Sequence, residues 1–218
     1  LHTVTGGLLY LESGQSLKLI GADPHRIHKV EVELHGESLR AAITHRQALA
    51  IGKLARGREG LVHFGRIPDW LVVESRQVVF YLKQEQVEFP DFEAEIPKAE
   101  SDILLCPTAE LRAQLQRIAF VRGASLAVIP EGSAMSLAFA TVDACSSPPP
   151  PSDDGASRPA VLDARYVLAA VDAAYAMSSD TIAYHHPLTP GSPVKLTAKG
   201  TAGRHSIQFT SAIMPIEG

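Results

Sequence analysis

The sequence is poor in residues that bring chemistry of their own. Its 218 residues include two cysteines, Cys106 and Cys145, one tryptophan and three methionines. The two thiols lack metal-ligand spacing and are too few for a disulfide framework, which points to a reducing compartment. No apolar run reaches the roughly 20 residues a bilayer span needs, and no signal-peptide pattern is present. There is no nucleophile elbow, phosphate loop, glycine-rich dinucleotide turn or zinc pattern. His185 and His186 are neighbours, so on a strand they point to opposite faces, and no third ligand stands at useful spacing. The remaining catalytic candidates, His25 with Asp23, or Ser192 and Cys106, lie in none of these motifs. The expectation is no enzyme, no cofactor and no metal.

What is present is enough for real cores: 45% of residues are hydrophobic and 20% charged, unlike a disordered chain. A net charge of −4 excludes a surface coated with nucleic-acid-binding charge but leaves room for a local basic face. The length suits one large or two small domains. Leu1 in place of Met is what a piece of a longer chain would show.

Periodicity supplies the elements. Leu8–Leu11 and Leu17–Ile20 flank a glycine-containing turn and read as a hairpin. Asp23-Pro24-His25 marks a turn, and His28–Leu34 alternates with period two. Leu39–Ile43 is a further strand. Thr44 caps a helix over 45–56, whose outer face carries Arg46, Lys53 and Arg56; Gly57 stops it. Strands follow at Gly60–Gly65, Trp70–Glu74 and Gln77–Leu82. Phe89–Pro97 breaks all periodicity and reads as a linker. A second helix starts at Pro107-Thr108, with Thr108 as cap, Leu111, Leu115, Ile118 and Ala119 as apolar stripe and Arg112 and Arg117 elsewhere. It ends at Gly123. Strands at Ser125–Pro130 and Ser136–Asp143 precede a polyproline loop, Pro148–Pro151, in Ser146–Ala156. A third helix spans Ala164–Met177, before strands at Thr181–His185, Pro193–Ala198 and His205–Ile213. The class is α+β, with a hint of one module used twice.

The last stretch, Ile213-Met214-Pro215-Ile216, is apolar where chain ends are usually polar and frayed. Pro215 cannot extend a ladder, so the strand stops there at an edge. These residues read as one wall of a peptide groove. The other walls come from Ala22–Ile27, Phe89–Phe92 and the neighbourhood of Tyr166. Taken alone, each segment also reads as turn or core, and an apolar wall serves as both.

Ala22-Asp23-Pro24-His25-Arg26-Ile27, Phe89-Pro90-Asp91-Phe92, Leu162-Asp163-Ala164-Arg165-Tyr166-Val167-Leu168 and the terminal Ile213-Met214-Pro215-Ile216 together resemble the bacterial β sliding clamp of DNA polymerase III. They occur in the family's order. The resemblance implies a DNA-clamp fold, with repeated modules of two helices packed on antiparallel β-sheets. Residues 1–98 would be the middle domain, N-terminally incomplete, and 99–218 the C-terminal domain. It implies a DNA replication processivity factor that encircles double-stranded DNA without reading sequence. Such a factor works as a homo-oligomeric ring in the cytoplasm, at the nucleoid. The implied partners are the DNA polymerase III alpha subunit, the clamp loader and other clamp-motif proteins. The implied groove holds Thr5, Gly7, Ala22, Pro24, His25, Arg26, Ile27, Pro90, Asp163, Tyr166, Pro193, Ile213, Met214, Pro215 and Ile216. Arg46, Lys53, Arg56, Arg112 and Arg117 would face DNA phosphates. Pro24, Ala94-Glu95 and Glu217 depart from the family pattern, and the two acids make the rim more acidic. A clamp-like peptide-binding adaptor that does not encircle DNA is the alternative the same residues allow.

Overall fold

A computed structural model of the chain describes residues 8–34, 36–55, 62–75, 78–88, 91–98, 103–121, 123–131, 134–140, 160–187 and 191–216. Thr5, Gly7, Arg56, Gly57, Pro90, the polyproline loop and Glu217 lie outside the described residues. The chain divides into two compact units. Leu1–Pro24 with Lys29–Pro90 make the first, and His25–His28 with Asp91–Gly218 the second.

In the first unit, β1 (Leu8–Ser13) pairs antiparallel with β2 (Leu17–Asp23) as the sequence predicts. Strand β3 (Arg26–Val32) begins two residues earlier than its alternation suggests, because Pro24-His25 alone makes the turn. Strand β4 (Leu39–Thr44) pairs with β1, giving the sheet order β4-β1-β2-β3. Helix α1 (His45–Ala55) starts in a capping box. The Gln47 N–H donates to Thr44 Oγ1 at 3.3 Å, and the Thr44 N–H donates back to Gln47 Oε1 at 2.8 Å. Two orphan helix donors are thereby satisfied reciprocally. Strands β5 (Val62–Ile67), β6 (Trp70–Ser75) and β7 (Val78–Lys83) form a second antiparallel sheet. The turn between β5 and β6 uses Pro68 and then Asp69 at φ 62°, the pattern of a type II turn. Leu11, Leu39, Ile43, Leu71, Val73 and Leu82 form the core, with Ala48 and Ile51 of α1 packed on it.

The second unit opens with a correction. Within the stretch read as a linker, Phe92–Glu95 make a single helical turn, α2. Asp91 caps it by accepting the Ala94 N–H at 3.2 Å. Phe92 and Ile96, four residues apart on one side of the turn, are both buried. Strand β8 (Ile103–Pro107), which the sequence reading passed over, precedes α3 (Thr108–Ile118). Pro107, not Thr108, holds the N-cap position, without a side-chain bond, and α3 ends before Gly123. Strands β9 (Ser125–Glu131), β10 (Ala134–Ala140) and β11 (Ala160–Asp163) form a three-stranded sheet in the order β10-β9-β11. β11 was also unanticipated. It leads directly into α4 (Ala164–Ala176).

Helix α4 ends in a Schellman motif. Ser178 adopts φ 57°, the Ser179 N–H donates to the Ala174 carbonyl, and the Ser178 N–H donates to the Tyr175 carbonyl. Strands β12 (Thr181–His185), β13 (Val194–Ala202) and β14 (His205–Ile213) continue the unit, β13 running four residues past its expected end. Its main sheet has the order β14-β13-β12-β8, with the opening of β3 beside β14. Helices α3 and α4 pack on each other. Leu104, Leu115, Leu162, Val171, Ile182 and Phe209 are among the buried residues of this unit.

Candidate functional site

Three separate pieces of sequence meet at one end of the second unit: the start of β3, the first turn of α4 and the residues after β14. Ile27 and Ile213 are buried and anchor their strands. The flanking residues then emerge. The Met214 N–H donates to the His25 carbonyl and the Ile216 N–H to the Val161 carbonyl, each at 2.8 Å. Pro215 stands between them without an N–H. The extended tail is thus held by alternate residues, and Met214 and Ile216 remain 37% and 47% exposed.

Tyr166 joins this cluster through His25 and Arg26. Its ring stacks on His25, with centroids 6.0 Å apart and planes 19° apart. The Arg26 guanidinium carbon lies 4.5 Å from the same ring centroid, within cation–π range. Asp163 caps α4 by accepting the Arg165 backbone N–H at 2.8 Å, and its carboxylate binds the Arg165 guanidinium at 3.0 and 2.5 Å. Burial pushes the Asp163 carboxyl up. The Arg165 hydrogen bonds and the charges of Arg165 and Arg26 outweigh that effect and hold it below the usual carboxylate range. The Arg165 guanidinium is raised in turn, chiefly by its hydrogen bond to Asp163.

Of the groove residues read from the sequence, His25, Arg26, Asp163, Tyr166 and Met214–Ile216 are therefore linked by contacts or direct chain continuity. Pro193 precedes Val194, the partner of Ile213, and so stands at the same end of the β13–β14 hairpin as Met214. Ala22 is buried in β2 and Pro24 is exposed in the following turn, both within the first unit. Sequence reasoning missed Val161, which acts through a backbone carbonyl and leaves no signature in residue type. Arg165 was legible as a base two positions after a capping aspartate.

The basic residues behave unequally. Arg46 and Lys53 are exposed on one stripe of α1, a helix with no acidic residue. Arg117 is exposed on α3. Arg112 is engaged: its Nε donates to Asp172 Oδ1 at 2.6 Å, and its guanidinium lies 4.6 Å from the Tyr175 ring centroid. Among the described residues no group of His, Cys, Asp or Glu is arranged to hold a metal ion, and no helix is long and apolar enough to cross a membrane.

No family model matches the sequence, and no curated protein matches it. Solved structures do match. A Pseudomonas aeruginosa DnaN sliding clamp (DNA polymerase III subunit beta), bound to griselimycin, aligns over 98% of this chain and 57% of its own, with TM-score 0.71 and 13% identity. Its fold is that of the bacterial β sliding clamps. The DNA polymerase III beta chain of Streptococcus pneumoniae aligns over 100% of this chain and 59% of its own, with TM-score 0.72 and 14% identity. A Helicobacter pylori beta clamp bound to a DNA ligase peptide aligns over 98% and 57%, with TM-score 0.67 and 16% identity. The chain spans just under three-fifths of the length of these clamps. The clamp fold expected from the four sequence segments is thus present, an α+β arrangement of antiparallel sheets and a few helices.

Proposed function

We propose that this chain is a sliding-clamp protein of DNA replication, a processivity factor without catalytic activity. In this reading residues 1–98 and 99–218 serve as middle and C-terminal clamp domains of a homo-oligomeric ring around duplex DNA. Partner proteins, namely the polymerase III alpha subunit, the clamp loader and other clamp-motif proteins, dock a short peptide beside Tyr166. The observation that carries the reading is the apolar tail tied to His25 and Val161 alongside Tyr166. A peptide anchor wants apolar faces with a few fixed polar groups, and Met214 adapts its shape to varied side chains. Pro193, at the Met214 end of the β13–β14 hairpin, completes the proposed groove within the second unit. Arg46, Lys53, Arg56 and Arg117 are the proposed phosphate contacts.

Titrating a labelled clamp-motif peptide into the wild type and into a chain lacking Met214–Gly218 tests this. Loss of binding in a variant that still folds is expected; equal affinity contradicts the groove.

A peptide-binding adaptor that does not encircle DNA is favoured by one specific observation. The bases on α3 and α4 are partly neutralised, Arg112 by Asp172 and Arg165 by Asp163. Incubation with clamp loader and plasmid separates the two. A ring is retained on circles and lost on linearisation, whereas an adaptor is retained on neither.

A further inference from the structure

Charge is unevenly spread along the chain. Thr181–Ile216 contains no aspartate or glutamate, although the whole chain carries −4. Lys195, Lys199 and Arg204 fall within that stretch, all on or at the tip of the β13–β14 hairpin. The inner face of the hairpin is fixed by packing. Ala198, Ile207 and Phe209 are buried, and Gly200 lies so close to Met177 that an added Cβ would stand 2.2 Å from the Met177 carbonyl oxygen. Strand alternation then turns Lys199 and Thr201 outward. The register sets Gln208 opposite Lys199 and Ser206 opposite Thr201. All four are exposed, as is Arg204 in the two-residue turn after Gly203 at φ 60°. Among the described residues neither Lys199 nor Arg204 has an acidic partner. The Thr201 N–H, donated to the Met177 carbonyl at 3.0 Å, holds the hairpin against the end of α4.

We propose that this outward hairpin face, formed by Lys199, Thr201, Arg204, Ser206 and Gln208, contacts the phosphodiester backbone of nucleic acid. It is a site distinct from the bases on α1 and α3. Its chemistry selects that occupant. A protein interface needs a desolvated aromatic or aliphatic anchor, and these five residues supply none. Phosphate oxygens are bound by lysine and arginine together with serine, threonine and glutamine, which is the set present. The three register steps from Lys199 to Ala202, next to the turn, span roughly 10 Å along the strand. Phosphates on one strand of a duplex recur every 3.4 Å or so along the axis, so Lys199 and Arg204 reach across about three. The face is flat and carries no ring to stack on a base, so the contact is independent of sequence.

Salt titrations of the full chain test the site, using a labelled duplex of about 20 base pairs and a single strand of equal length. The comparison is wild type against Lys199→Gln/Arg204→Gln. Both side chains are exposed and, among the described residues, without an acidic partner, and matching unfolding curves verify that the variant folds. The slope of log affinity against log salt should shrink by about 1.8 for duplex or about 1.4 for the single strand. For the duplex this makes the variant's affinity loss about twelvefold greater at about 50 mM than at about 200 mM salt. A loss on either form supports the site and names the form it takes. An unchanged slope on both overturns it. So does a variant that loses only the binding of an oligoglutamate peptide, because the face would then serve an acidic protein. Arg46→Gln/Lys53→Gln, run in parallel, reports on the α1 contacts separately, so failure of the hairpin site is distinguishable from failure of the clamp reading.

Discussion

The Arg26 guanidinium lies 4.5 Å from the centre of the Tyr166 ring, and the same ring stacks on His25. One aromatic side chain therefore organises two neighbours far away in sequence, His25 in the turn before β3 and Arg26 at its start. Tyr166→Ala should weaken clamp-motif peptide binding at least about tenfold, the scale of a lost aromatic anchor. Tyr166→Phe should bind nearly as well, since the contacts are made by the ring. Fluorescence anisotropy checks both, and equal affinity for the alanine variant would remove Tyr166 from the site.

Gly200 sits where no side chain fits. Gly200→Ala should cost about 1–3 kcal/mol, because the obstructing atom is the Met177 backbone oxygen, which cannot rotate away. Gly21, with nothing within 4 Å of an added Cβ, is the control. Urea unfolding of the two alanine variants measures the contrast.

Arg112 is expected to act within the protein. Arg112→Ala should lower stability by about 0.2–1 kcal/mol, the range of an exposed ion pair, and leave the salt slope of DNA binding unaltered. Arg46→Ala should do the reverse, reducing the slope by about 0.9 with little change in unfolding.

Asp163 gives a pH signature. Its folded-state carboxyl is held below the unfolded value, so the folded protein binds fewer protons there. The stabilisation is fully present above about pH 4, near the unfolded value, and is lost as pH falls through the lower folded value. Asp163→Asn keeps a good N-cap but not the charge. The variant should be less stable near neutrality by up to about 1 kcal/mol, and the gap should close in acid. Denaturant curves across pH would show a constant gap if the pair contributes nothing.

Burial pushes the Cys106 thiol up to about 11. That leaves it roughly a few hundredfold less thiolate than a free cysteine near neutral pH. In a Cys145→Ser background the native protein should resist alkylation and react only after unfolding. Rapid native labelling, read by mass spectrometry, would contradict this.

Much of this was legible beforehand because local rules agreed. β1 and β2 announce themselves as apolar runs flanking a glycine-containing turn, and α1 by a capping Thr44. β8 and β11 escaped for one reason. They have five and four residues and run straight into α3 and α4, so neither period has room to declare itself. Phe92 and Ile96 hid a helical turn inside a proline-bounded stretch, where one i, i+4 pair is too short a pattern to register. The Arg112–Asp172 pair joins positions sixty apart, and the Val161 carbonyl belongs to no residue type in particular. The clamp fold was reachable only by likeness, since alternation and capping specify strands and helices without saying how modules are shared.

Strand β3 has a consequence for anyone wishing to dissect the molecule. Its first three residues count with the second unit and its last four with the first. Cleaving the chain after Pro90 would strip the C-terminal piece of the strand beside β14 and of the carbonyl that receives Met214. What remained would expose a raw sheet edge, prone to self-association. Because His25–His28 belong to the second unit, no single cut divides the sequence into the two units.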